Sequence, residues 1–197
     1  MPDDRPILLL DVMSTLVYDP FAVEMPAFFG LTFQEMFARK DPTAWVEFER
    51  GEIDEATFFD RFFMGEREVD GEAFRAMLAE SYRYLDGVEE MLTALSEAGV
   101  PMHTLSNYPS WWEIIESSLE LSRWVEWTFV SCRMGVRKPD VAIYARAAAT
   151  LGVAPGRCLF VDDREKNCEG ARAAGMQAVR FESAGQLTDA LRARGVL

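Results

Sequence analysis

The chain has 197 residues, 49% of them apolar, enough for one large domain or for a core with an inserted subdomain. A formal charge of −13 argues against nucleic acid and anionic membranes as partners, since both require a basic footprint. Three cysteines and a single histidine, His103, leave no even-numbered disulfide framework and no site built from several imidazoles.

The opening "MPDDRP" is acidic and lacks the layout of a signal peptide, and no apolar run reaches membrane-spanning length. Cys132, Cys158 and Cys168 show no metal-ligand spacing, so a reduced, cytoplasmic setting is expected. The first element is the strand Ile7–Val12, in which four aliphatics run into Asp11. A carboxylate at the end of a buried strand needs a partner to leave water.

From Val17 to Leu85 the pattern is helical, broken at "KDPT", "GEID" and "REVDGE". This segment carries 15 acids against 7 Lys and Arg, and rings from Phe28 to Phe74 recur near helical spacing. They are expected to form the segment's own core, some of them lining a pocket for a flat ligand.

From Asp86 onward helices and strands alternate. "DGVEEMLTALSEAG" reads as a helix with a capping box between Asp86 and Glu89 and a stop at Gly99. The strand "VPMHTLSN" follows, then a helix over 110–119 in which one ring of Trp111–Trp112 should pack in the core and the other reach the insert. The strand "WTFVS", a helix over 140–151, the strand "RCLFVDD", a helix over 164–174, the strand "QAVRF" and a last helix complete the chain. Cys158 and Cys168 read as small core residues. The alternation predicts an α/β fold, a doubly wound parallel five-stranded sheet, with an inserted α-helical cap. Residues 1–16 and 86–197 would form the core and residues 17–85 the cap.

Ligands of such sheets bind beyond the carboxyl ends of the strands. The groups expected there are Asp11, Ser106, Asn107, Asp162 and Asp163, with Lys138 from the loop "MGVRKPD". Three acids so close imply a hard cation between them, and magnesium, which keeps waters and a substrate phosphate, fits best. Lys138 would neutralise Asp11 and a phosphoryl oxygen, while Ser106 and Asn107 would donate to the other phosphoryl oxygens. Asp11 is the natural nucleophile for an aspartyl-phosphate route.

The series "DVMSTL", "TLSN", "RKPD" and "FVDDREKN" resembles the four motifs of the haloacid dehalogenase-like hydrolase superfamily, with the insert where that family often carries a helical cap. The resemblance implies Asp11 as nucleophile, Ser106 as the phosphate-binding hydroxyl and Lys138 as the stabilising cation. It implies Asp162 and Asp163 as magnesium-site acids, with Asp163 the more direct ligand, Asn167 in support and the backbone carbonyl of Met13 as a further metal ligand. Phosphatases of the superfamily carry an acid/base aspartate where this chain has Met13, and a thioether cannot replace it. Asp19 and His103 are the candidate stand-ins.

The expected activity is phosphomonoester hydrolysis on a small phosphorylated molecule, weak or leaving-group-dependent, by a monomer or homodimer. The alternatives are a catalytically impaired ligand-binding or regulatory protein and, less favoured, a 2-haloacid dehalogenase, which needs no paired acids. "DVMSTLVYDPF", "PAFFG", "WVEFERGEID", "YLDGVEEML" and "WTFVSCRMGVRKPD" further resemble a plant plastid branch of flavin mononucleotide hydrolases.

Overall fold

The computed structural model describes residues 5–65 and 67–197; the acidic opening segment 1–4, read above for targeting, lies outside them. Five parallel strands, β1 (Ile7–Leu10), β2 (Met102–Ser106), β3 (Glu126–Val130), β4 (Cys158–Asp162) and β5 (Gln177–Arg180), stand in the order β3-β2-β1-β4-β5. β1 is central, with Leu8 paired to Met102 on one side and to Leu159 on the other. Both of its faces are covered, which is why it reads as an unbroken aliphatic run rather than an alternation.

The helices are α1 (Glu24–Phe28), α2 (Phe33–Arg39), α3 (Ala44–Glu49), α4 (Glu55–Phe62), α5 (Gly71–Ser81), α6 (Val88–Glu97), α7 (Trp112–Leu119), α8 (Ser131–Met134), α9 (Val141–Thr150), α10 (Glu165–Ala173) and α11 (Ala184–Arg192). Leu8, Leu10, Leu159 and Val161 face one core with the buried residues of α6 and α11. Leu9, Cys158 and Phe160 face the other, with Ile143, Tyr144 and Ala147 of α9 and Ala171 of α10. This period-2 division is what winds the chain on both faces of the sheet.

The capping box expected at Asp86 and Glu89 does not form. Gly87 holds the N-cap of α6 with φ +75°, a left-handed turn that aims no side chain at the helix N–H groups. The structure instead builds a capping box between Thr32 and Glu35 at the start of α2.

All five helices α1–α5 lie between β1 and β2 in the chain, with no strand among the described residues there. The chain leaves and returns side by side: Val17 bridges Tyr84 antiparallel, Tyr18 N–H donates to Arg83 O at 2.9 Å and Leu85 N–H to Leu16 O at 3.0 Å. The insertion's core is aromatic, as in the stacked pair Phe48–Phe58 at 4.8 Å and the edge-on pair Phe29–Phe63 at 4.7 Å. Trp111 completes it from the sheet side, 5.0 Å from Phe48 and 5.2 Å from Phe74. Its indole N–H donates to Glu55 at 2.5 Å. Trp112 turns away and packs on Trp127 at 5.2 Å, so the interface ring is the buried one and its neighbour covers the outer side.

Candidate active site

The central position of β1 decides where its acid lies. Asp11 follows the last β1 residue, and its N–H donates to Val161 O at 2.9 Å, which sets it beside the end of β4. Carboxylate oxygens of Asp11, Asp162 and Asp163 all lie within 4.8 Å of one another. Lys138 Nζ closes the gap, 2.7 Å from Asp11 Oδ1 and 2.6 Å from Asp162 Oδ2, and all three side chains are buried. Burial pushes Asp11 up to about 7 against the pull of Lys138, with Asp162 and Asp163 adding to the rise. For Lys138 burial alone would lower the pKa, but Asp11 and Asp162 carry it above its ordinary value.

The two neighbouring aspartates divide their work. Asp162 accepts from Lys138, from Arg164 N–H at 2.9 Å, and from Asn167 Nδ2 at 2.9 and 3.0 Å on its two oxygens. Its lone pairs are largely committed to holding the lysine and the start of α10. Asp163 is half-buried on the cavity wall, raised by burial and by Asp162, and is the freer oxygen donor.

The sequence reading has Asn107 donating to a phosphoryl group. In the structure Asn107 lines the cavity and its side chain also holds the Lys138 loop: Nδ2 donates to Lys138 O at 2.9 Å and Oδ1 accepts from Lys138 N–H at 2.8 Å. A primary amide matches a peptide group donor for acceptor, so Asn107 splints the loop that delivers Lys138. Gly170 lets α10 close on that loop, since a Cβ there would stand 2.7 Å from Pro139 O. Ser106, by contrast, ends β2 with its hydroxyl buried and without a hydrogen-bond partner. Such an atom is costly unless a ligand supplies the bond.

Met13 sits in the turn after Asp11, where Ser14 has φ +59°. The turn's hydrogen bonds go to the carbonyls of Val12 and Val17, leaving the Met13 carbonyl outside them. Met13 lines the cavity. Asp19 lines it too; burial raises its carboxyl while Phe21 N–H donates to it at 3.0 Å. His103 is remote from this rim: it lies on the outer half of β2, its Nδ1 2.8 Å from Thr128 Oγ1.

The cavity, about 220 Å³, runs between the rim and the insertion, with Phe21, Phe37 and Trp45 on its wall. Its lining includes the acids Asp11, Asp19, Glu49 and Asp163 and the cations Lys40, Arg137, Lys138 and Arg164. The site is therefore balanced in charge although the surrounding segment is strongly acidic.

A model of the haloacid dehalogenase-like hydrolase family matches residues 20–175, beginning just after the Asp11 turn. The chain is also 42% identical, over 97% of its length and 78% of the relative's, to flavin mononucleotide hydrolase 1 of Arabidopsis thaliana, named as chloroplastic. The chain belongs to the haloacid dehalogenase-like hydrolases. A phosphoglycolate phosphatase of Xanthomonas campestris is 32% identical over 54% of this chain and 48% of its own. The fold matches a haloacid dehalogenase family enzyme of Bacteroides thetaiotaomicron, solved with magnesium and inorganic phosphate, with TM-score 0.74 at 22% identity over 92% of this chain and 96% of that one. Among the described residues no helix is long and apolar enough to cross a membrane.

Within this hydrolase fold the structure adds residues that motif reading passes over. Glu49 of α3 is buried on the cavity wall, its Oε2 2.9 Å from Arg137 Nη2. Burial pushes its carboxyl up to about 7, opposed by Arg137, Trp45, Arg164 and Lys138. Ser131 at the end of β3 braces the region: its hydroxyl accepts from Tyr108 N–H at 3.0 Å and bonds Glu49 O. One signal was available for Glu49. It lies four residues after Trp45 and next to Phe48, which puts a charge on the buried side of a short helix.

Proposed function

We propose that this chain is a magnesium-dependent phosphomonoester hydrolase working through an aspartyl-phosphate on Asp11. One observation carries the reading. At a single rim stand the buried Asp11–Lys138–Asp162 chain, the uncommitted carboxylate of Asp163 and the unbonded hydroxyl of Ser106. Carboxylate oxygens of Asp11, Asp162 and Asp163 within 4.8 Å of one another suit a divalent cation, which would offset the burial that pushes Asp11 up to about 7. Asp11, Asp163 and the Met13 carbonyl would hold it, with Asp162 keeping Lys138 in place. When bound, magnesium neutralises the acids and the transferring phosphoryl group.

Asp11 attacks phosphorus through one carboxylate oxygen as the bond from phosphorus to the leaving oxygen breaks. Water then attacks the same phosphorus, releasing inorganic phosphate and restoring Asp11. Lys138 and Ser106 meet the phosphoryl oxygens as charge builds on them. Residue 13 supplies no proton to the leaving oxygen. A positioned acid is worth about 10²–10⁴ in rate, so turnover falls as the leaving group becomes more basic.

The leading substrate is flavin mononucleotide, an alkyl phosphate and so a slow substrate with no acid at residue 13, supported by the Arabidopsis relative and by Phe21, Phe37 and Trp45 on the cavity wall. A cavity of about 220 Å³ lies below the usual range for ligand pockets, so three fused rings project past Phe37 or shift the insertion. The protein acts as a monomer or homodimer in a reducing compartment, the cytoplasm, in keeping with three free cysteines. Cell fractionation checks the compartment.

The test is a leaving-group series. Acetyl phosphate and p-nitrophenyl phosphate are cleaved with magnesium and spared in chelator, alkyl phosphates much more slowly. Phosphate binding without turnover of any ester would favour the second reading, a ligand-binding protein marked by Met13. Halide release from a 2-haloacid in chelator would point to dehalogenation, for which paired acids have no use.

A further inference from the structure

Three buried side-chain atoms among the described residues lack a hydrogen-bond partner: Ser106 Oγ, Glu49 Oε2 and Arg137 Nε. They are not scattered. Glu49 and Arg137 both line the cavity, and Ser106 adjoins Asn107, which lines it as well. The Ser106 hydroxyl belongs to the phosphoryl site. The other two atoms belong to a different part of the wall, where α3 of the insertion meets the loop that precedes Lys138.

Glu49 is only 5% exposed, and its backbone carbonyl is tied to Ser131, so its position is fixed from the sheet side. Gly51, at φ +70°, allows this contact, because a Cβ there would overlap Cys132 O. Arg137 Nη2 stands 2.9 Å from Glu49 Oε2, but off the hydrogen-bond axis. The charges are compensated while a lone pair of Oε2 and the N–H of Arg137 Nε stay unused. Both atoms are closed off while the two side chains face each other; leaving either bond unmade costs about 1–3 kcal/mol, which a ligand that parts the pair can recover.

We infer that Glu49 and Arg137 form a recognition subsite for the leaving group, one offering an acceptor and the other a donor to a ligand that carries a donor and an acceptor side by side. This rests on the hydrolase reading above and gives it a substrate class. The matching group is the –NH–C(=O)– edge of a lactam or imide in a flat heterocycle. Its N–H meets Glu49 and its carbonyl meets Arg137, while Phe21, Phe37 and Trp45 offer faces to the ring. A carboxylate leaving group, as in phosphoglycolate, satisfies the arginine but sets its charge against the ionised Glu49. The subsite therefore selects against it.

The experiment uses the intact chain at pH 8.5, where Glu49 is ionised. Binding of riboflavin and of 3-methylriboflavin, in which a methyl replaces the ring N–H, is followed by flavin fluorescence. The methylated compound should bind at least about tenfold more weakly, the loss of one buried hydrogen bond. In Glu49→Ala that gap should close to about twofold. Equal affinities in the wild type, a gap that persists in Glu49→Ala, or no binding of either flavin overturns the subsite. The wild-type comparison needs no variant and so survives a folding failure. Neither flavin carries phosphate, which separates the two claims. Discrimination in a protein that cleaves no ester sinks the hydrolase and keeps the subsite. Cleavage of p-nitrophenyl phosphate without discrimination does the reverse.

Discussion

The sheet rim and the cavity wall supplied by the insertion solve opposite problems. At the rim, charges satisfy one another: Asp162 accepts from Lys138, Asn167 and the Arg164 N–H, and Asn107 pairs with the backbone of Lys138. Where the insertion meets the loop before Lys138, Glu49 and Arg137 each keep an atom unbonded. Apart from the Ser106 hydroxyl and Asp163, the rim is a closed frame around Asp11; the wall keeps one unbonded atom on each member of its ion pair. Chemistry needs groups that do not move when substrate arrives, whereas recognition needs groups whose bonds only the substrate completes.

The strongest way to break this contrast is to remove the carboxylate proposed as nucleophile. Asp11→Asn should reduce magnesium-dependent cleavage of p-nitrophenyl phosphate to background, and retained turnover would remove Asp11 from the chemistry. Lys138→Ala tests whether the frame holds itself together. It leaves buried Asp11 and Asp162 face to face, so urea unfolding in chelator should lose about 3–5 kcal/mol. Magnesium should recover part of that loss.

Met13→Asp sharpens the comparison from the other side by returning an acid to the rim. Alkyl phosphate turnover should rise by about 10–100-fold, the gain shrinking as the leaving group becomes more acidic. A uniform gain across the series would mean that proton delivery is not what residue 13 lacks.

Protonation gives a smaller effect. Asp11 and Glu49 are both raised to about 7, from 3.8 and 4.5, so the folded protein holds more protons than the unfolded chain between about pH 4 and 7. Their contribution to stability is full below that window and is lost as pH rises through it. In chelator the melting temperature should fall by several degrees from pH 5 to pH 8, and magnesium should flatten the part due to Asp11. Smallest is Phe37→Ala at the cavity mouth, with an expected rise of roughly three- to tenfold in KM for flavin mononucleotide. Equal rises for p-nitrophenyl phosphate and the flavin ester would remove Phe37 from ring recognition.

What could be read in advance followed chain periodicity. Strands ending at Asp11, Ser106 and Asp162 are visible because apolar runs stop where polar residues begin, and parallel topology sends those ends to one rim. Local capping was less legible: Asp86 and Glu89 have the spacing of a capping box, yet the left-handed Gly87 takes the N-cap. Asn107 stood in the expected place, but its side chain bonds a loop 31 residues away. In the insertion, composition announced an aromatic core without saying that Trp111 rather than Trp112 would enter it, or that Phe37 would stay exposed.

The amino-acid order alone therefore determined the fold class, the succession of elements and the acids and lysine that gather at the rim, because these depend on short-range pattern and on the direction of parallel strands. Tertiary structure decided how each polar group spends its hydrogen bonds. Asp162 is committed and Asp163 is not; Asn107 faces a loop; Glu49, an acid among many, reaches Arg137 across 88 positions. Hydrogen bonds and burial are set by neighbours distant in the chain, so no local pattern carries them.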